Sequence, residues 1–89
     1  MTEQREIFVS VDVETAGPIP GEYSLLAIGA CAVYEPHLTF SSRLKPINRN
    51  ADPQALEITG LSLDHLERTG LPPADAMRSF ARWLDSLRE

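Results

Sequence analysis

The sequence predicts an α/β fold: a three-stranded antiparallel meander followed by short helices and one long amphipathic helix. Two observations carry this. Strand-like runs crowd into residues 6 to 45, and helix signals crowd into the residues after 52. Strands so close in sequence are joined most economically as antiparallel neighbours.

The first strand is expected over residues 6 to 14. Ile7, Val9, Val11 and Val13 fall on one face, and Phe8, Ser10, Asp12 and Glu14 on the other. Thr15-Ala16-Gly17-Pro18 and Pro20-Gly21 then supply turn chemistry. The second strand, residues 24 to 34, is SLLAIGACAVY and is apolar on both faces, as a central strand covered on both sides would be. A short buried helix is the alternative for such a run. Its small residues Gly29, Ala30, Cys31 and Ala32 suit a close approach of something above them. Glu35-Pro36-His37 is expected to turn the chain into a third strand, residues 38 to 45. There Leu38, Phe40, Ser42 and Leu44 alternate with Thr39, Ser41, Arg43 and Lys45.

After a loop marked by Pro46, Asn48 and Asn50, a short helix is expected from Pro53 to Ile58, with Asp52 as N-cap and Gly60 as its end. Ser62 caps a second, running through Arg68 and closed by Gly70. The last helix runs from Pro72-Pro73 to about Leu87. Met77, Phe80, Ala81, Trp83, Leu84 and Leu87 form its apolar sector, and Asp75, Arg78, Arg82, Asp85 and Arg88 lie largely outside it.

The chain has 89 residues, enough for one small domain or part of a larger one. At 43% hydrophobic and 24% charged it has the composition of an ordinary globular protein. No apolar run is long enough to span a bilayer, so no membrane partner is expected. The polar N-terminus MTEQREIF does not read as a signal peptide. Cys31 is the only cysteine, which excludes an internal disulfide and favours a cytoplasmic location. The net charge of −5 argues against broad electrostatic attraction to nucleic acid. It does not exclude a nuclease, because metal-holding carboxylates add to the negative total.

Asp12 and Glu14 are the candidate catalytic residues. Residues two apart on a strand share a face, so both carboxylates can converge on one point in front of the sheet. Two hard oxygen donors suit Mg²⁺ or Mn²⁺ better than zinc. Such ions activate water and stabilise the leaving oxygen in phosphodiester cleavage. The spacing alone is weak, since composition predicts about two such acid pairs by chance. A solvated strand end is the plain alternative. His37 and His65 read as surface histidines, and Tyr23 and Tyr34 as packing residues of a loop and a strand.

The stretch FVSVDVETAGPIPGEYSLLAIGACAV resembles the first motif and second strand of the DEDD 3'-5' exonuclease family, whose fold is ribonuclease H-like. Asp12, Glu14 and Thr15 match the Asp-x-Glu-Thr strand end, and Ile28, Gly29 and Ala30 the following Ile-Gly-Ala stretch. ALEITGLS is similar to the family's segment between the third strand and the first long helix, and FARWL falls where that helix belongs.

The resemblance implies the N-terminal half of the fold and a single, truncated domain over residues 1 to 89. It implies metal-dependent hydrolysis at a single-stranded 3' end of DNA or RNA, with two divalent ions, Mg²⁺ or Mn²⁺, in the complete domain. Asp12 and Glu14 would be metal ligands. Thr15, Ile58, Gly60 and Leu61 would border the terminal nucleotide. The family's third and fourth acids and its His or Tyr base would lie past Glu89, so this chain is expected to be incompletely active alone. The alternative is a non-catalytic remnant that binds nucleotide, nucleic acid or another protein. An unfinished sheet is also expected to be poorly folded or to self-associate.

Overall fold

A computed structural model describes residues 6 to 88. Three strands, β1 (Val9–Thr15), β2 (Leu25–Ala32) and β3 (Glu35–Arg43), precede three helices, α1 (Pro53–Thr59), α2 (Leu63–Thr69) and α3 (Pro73–Ser86). The strands form one antiparallel sheet in the order β1-β2-β3, so the expected meander is present and β2 is its central strand.

The alternation along β2 decides how the sheet is used. Leu26, Ile28, Ala30 and Ala32 are buried, whereas Leu25, Ala27, Gly29 and Cys31 are only half-buried. Among the described residues the helical layer lies on one face of β2, and the other face is left half-exposed. Small side chains explain how an apolar strand tolerates this, because Ala27 and Gly29 expose little apolar area.

The third strand begins earlier than expected. Glu35, Pro36 and His37 belong to β3, and the chain reverses at Val33-Tyr34. A register shift between Cys31 and Ala32, which brings Ala32 opposite Glu35, makes this tight reversal fit. Pro36 is tolerated because β3 is an edge strand, with no ladder partner on its far side. Tyr34 consequently sits in the turn, 78% exposed, and meets Phe8 edge-on with ring centroids 6.0 Å apart. Its expected role as a strand packing residue is corrected to that of a turn residue. Tyr23 does pack in its loop, against the cluster around Ala16.

The helices start and stop where local chemistry directs. The Asp52 carboxylate accepts a hydrogen bond from the Gln54 amide, Pro53 opens α1, and Gly60 closes it in the left-handed region at φ 71°. The Ser62 hydroxyl accepts from the His65 amide at the start of α2. Gly70 is required for a different reason, because its φ is −74°. A Cβ there would lie 2.6 Å from the backbone of Leu44 and Lys45.

Two clusters form the core. Ala16, Leu26, Leu63 and Leu66 pack with Tyr23, Ala51, Leu56 and Leu61 at one end of the sheet. Ile28, Leu44 and Ala76 pack with Leu25 and Phe40 beneath α3. Phe40 meets Phe80 at 5.2 Å and Trp83 at 5.9 Å, so aromatic packing fastens α3 to β3. The apolar sector read from the sequence is only partly buried. Phe80, Trp83, Leu84 and Leu87 are half-buried, Met77 and Ala81 are exposed, and Ala76 is the fully buried residue of the helix. Ala76 packs against Ile28 and Leu44, and Met77, the next residue round the helix, is turned out to solvent.

Candidate active site

The carboxylates stand on the uncovered face. Val9, Val11 and Val13 pair with Ala32, Ala30 and Ile28, the buried side of β2. Ser10, Asp12 and Glu14 pair with Cys31, Gly29 and Ala27, the half-exposed side. Strict alternation thus puts Asp12 and Glu14 together in front of the sheet, as the two-residue spacing requires. Asp12 is exposed and Glu14 half-buried.

The partners opposite them matter as much as the acids. Asp12 faces a glycine across the ladder, and a Cβ at Gly29 would meet nothing within 4 Å. Glu14 faces Ala27. Among the described residues, the space beside both carboxylates is therefore open. Neither acid forms an ion pair among the described residues. Two unpaired carboxylates on one strand repel each other, and a divalent cation is the simplest group that would offset this.

The strand end is held firmly. Between Glu14 and Thr15 the β1–β2 register shifts, so that Thr15 stands opposite Leu25 and Leu26 drops into the core. Such irregularities re-aim side chains at the ends of strands. The Thr15 hydroxyl donates to the Gly17 carbonyl at 2.9 Å. The Ala16 amide donates to the Ser24 carbonyl at 2.9 Å, and the Ala16 carbonyl accepts from the Asp52 amide at 2.7 Å. The Ser24 hydroxyl, fully buried, accepts from the Ile47 amide at 2.8 Å. The Tyr23 ring lies so close over Gly17 that a Cβ there would come within 2.5 Å of it. Two later segments are thereby tied to the turn that follows the acids.

The residues expected to border a nucleotide divide. Thr15 adjoins Glu14, with its hydroxyl engaged in the turn. Leu61 packs into the same cluster as Ala16. Gly60 is exposed, and Ile58 is an exposed apolar residue of α1, 78% accessible. His37 on β3 and His65 on α2 are both exposed.

The donor chemistry of Asp12 and Glu14 fits a hard divalent cation. The set is partial: among the described residues no group of three or more His, Cys, Asp or Glu side chains is gathered to hold a metal ion. Sequence reasoning noted Gly29 as a small residue and as part of the Ile-Gly-Ala stretch, not as the residue opposite Asp12. Its place opposite Asp12 depends on the pairing register, which no local signal in the sequence reports.

Compared with known proteins, the chain is 56% identical over 87 residues to the 3'-5' DNA exonuclease Cap18 of Escherichia coli, an alignment covering 98% of this chain and 46% of that protein. The expected kinship with the 3'-5' exonucleases stands. The chain spans about half the length of this exonuclease relative. Among solved structures, cell-death related nuclease 4 aligns with a TM-score of 0.66 at 21% identity, covering 89% of this chain and 30% of that one. This second likeness supports the fold, three antiparallel strands followed by helices, that an exonuclease half-domain requires. No family model matches the chain.

Proposed function

We propose that this chain forms the metal-carrying first segment of a 3'-5' exonuclease. The observation that carries the reading is the pairing of Asp12 and Glu14, unpaired with any cation among the described residues, on the open sheet face beside Gly29 and Ala27. The reading gains strength from the 56% identity to a 3'-5' DNA exonuclease. DNA is accordingly the proposed substrate, attacked at a single-stranded 3' end.

In this reading Asp12 and Glu14 would hold Mg²⁺ or Mn²⁺, which would supply water activation and charge neutralisation at the phosphodiester. The Thr15 backbone and Leu61 border the terminal nucleotide, and Ile58 and Gly60 present an apolar edge and a bare backbone to it. The rigid turn over residues 15 to 17 keeps the carboxylates from shifting as substrate binds. A cytoplasmic setting fits the single cysteine, and self-association through the β1 edge fits the uncovered sheet.

Two carboxylates are too few for a closed two-ion site. The 89-residue chain alone should therefore bind Mn²⁺ weakly and turn over no substrate. In the full-length protein, Asp12→Ala should lower the rate of 3' nucleotide release by at least about 10³-fold, the order expected when a metal's charge stabilisation is lost. Quantifying released 5'-mononucleotides decides the matter, and unchanged release by Asp12→Ala would sink the assignment.

A further inference from the structure

We infer that Ser24 is a positioning residue whose buried hydroxyl fixes the β-bulge that aims Glu14 at the metal. The inference rests on the exonuclease reading and extends it from the carboxylates to the residue that holds one of them in place.

The ladder shows why that end of β1 needs holding. Val13 pairs with Ile28 and Glu14 with Ala27, so a regular ladder would set Thr15 opposite Leu26. Thr15 stands opposite Leu25 instead. The bulge thus begins at Glu14, while Asp12, opposite Gly29, lies in the regular part of the ladder. A bulge is a soft point, because the extra residue breaks the ladder and the strand bends there. Burial of the extra residue, Leu26, anchors this one on its core side. Ser24 anchors the chain before it.

Carbonyls two residues apart on a regular strand point to the same neighbour. Here they do not. The Leu26 carbonyl accepts from the Leu44 amide on the β3 side at 2.9 Å, and the Ser24 carbonyl accepts from the Ala16 amide on the β1 side at 2.9 Å. The bulge has turned the Ser24 carbonyl away from the β3 side. Continuing the β2–β3 register, Ile28 with Ser42 and Ala27 with Arg43, sets Pro46 opposite Ser24, and proline has no N–H to offer. The next amide, that of Ile47, donates to the Ser24 hydroxyl at 2.8 Å. Ser24 therefore holds the turn after the acids through its carbonyl and is itself held from the other side through its hydroxyl. It is a fully buried polar residue beside an apolar cluster, and an apolar replacement would leave the Ile47 amide unpaired. Each of these bonds joins two residues of this segment, and none needs the face that carries the acids to be open. Without the hydroxyl, Ser24 and Ala16 are free to shift together, and Glu14 shifts with them while Asp12 stays.

The test uses the full-length protein, titrated with Mn²⁺ by calorimetry without DNA and well below every Tm. Ser24→Ala should raise the Mn²⁺ dissociation constant about tenfold, the scale of one buried hydrogen bond. Ser24→Cys, which keeps a side chain of similar size but only a weak acceptor, should fall between the two. In a Glu14→Gln background, Ser24→Ala should change the constant by less than about twofold, because the carboxylate it positions is gone. Gly70→Ala, which crowds the backbone of Leu44 and Lys45, is the control for a general loss of stability and should bind Mn²⁺ as the wild type does. On a single-stranded oligonucleotide, Ser24→Ala should raise the Mn²⁺ concentration giving half the maximal rate about tenfold and leave the KM for DNA at saturating metal unchanged. Unchanged Mn²⁺ affinity in Ser24→Ala overturns the proposal, as does an equal loss in Gly70→Ala or an undiminished loss in the Glu14→Gln background. If the wild type binds no Mn²⁺, the exonuclease reading itself fails and this assignment falls with it.

Discussion

At Gly70 a single hydrogen atom in place of a side chain decides whether two parts of the fold can meet. The residue caps α2, donating its amide to the Leu66 carbonyl at 2.8 Å, and passes against the chain between Leu44 and Lys45. On either side the strand and the helix connection are stitched together, Lys45 amide to Leu71 carbonyl at 2.8 Å and Leu71 amide to Arg43 carbonyl at 2.9 Å. A Cβ at Gly70 would meet the Leu44–Lys45 peptide bond at 2.6 Å and the Leu66 carbonyl oxygen at 2.7 Å, all backbone, so no side-chain rotation can relieve it. Gly70→Ala should therefore lower stability by about 2–3 kcal/mol, at the upper end for overpacking. In a thermal unfolding scan that is a fall in Tm of at least about 10 °C for a domain this small. Gly60 offers the contrast. Its φ of 71° strains an alanine, but open space surrounds it, so Gly60→Ala should cost only about 1 kcal/mol. Equal effects of the two substitutions would show that the close approach at Gly70 relaxes freely.

At the scale of the element, the strength of the reading from sequence followed the range of the interactions involved. Asp52, Pro53 and Gly60 fix α1 through bonds to residues at most four positions away, and those ends were legible. The period of two along residues 9 to 14 gave the face that Asp12 and Glu14 share. The start of β3 was not legible, because Glu35-Pro36-His37 has good turn chemistry and only the shifted pairing with Ala32 draws it into the ladder. An apolar run such as β2 looks alike whether its second face meets a helix or open space, so the strand by itself does not report what covers it. The α1 cap lets local and non-local contributions be separated. Asp52→Ala removes the carboxylate that caps Gln54 but keeps the amide that binds the Ala16 carbonyl. It should cost about 1 kcal/mol, and Asp52→Asn should recover most of that. Because the backbone bond to Ala16 survives, Asp52→Ala should leave the KM for a 3' end unchanged. A raised KM would instead make α1 a mobile border of the nucleotide pocket.

For the molecule as a whole, the one-sided sheet has a physical consequence. The radius of gyration is 15.1 Å, with extents of 53 × 22 × 22 Å. A compact domain of this length would have a radius near 12 Å. The excess reflects an elongated shape, and among the described residues β1 lies at the sheet edge. Val11 and Val13 face the helical side of the sheet but remain 49% and 47% exposed, because α3 packs over β3 rather than over β1. An edge with free backbone groups, flanked by exposed valines, is a template for pairing with another strand. The 89-residue chain should therefore associate, and light scattering should give a mass well above the 9.9 kDa of one chain. Replacing Val11 and Val13 together by lysine places charge along that edge and removes its apolar flank, so association should fall several-fold or vanish. Asp12→Asn and Glu14→Asn should act in the opposite sense, since the paired carboxylates are the principal charge opposing a second strand. A wild-type chain that stays monomeric at high concentration and unfolds in one sharp transition would show that the exposed edge is tolerated as it stands, with Asp12 and Glu14 already supplying enough repulsion to protect it.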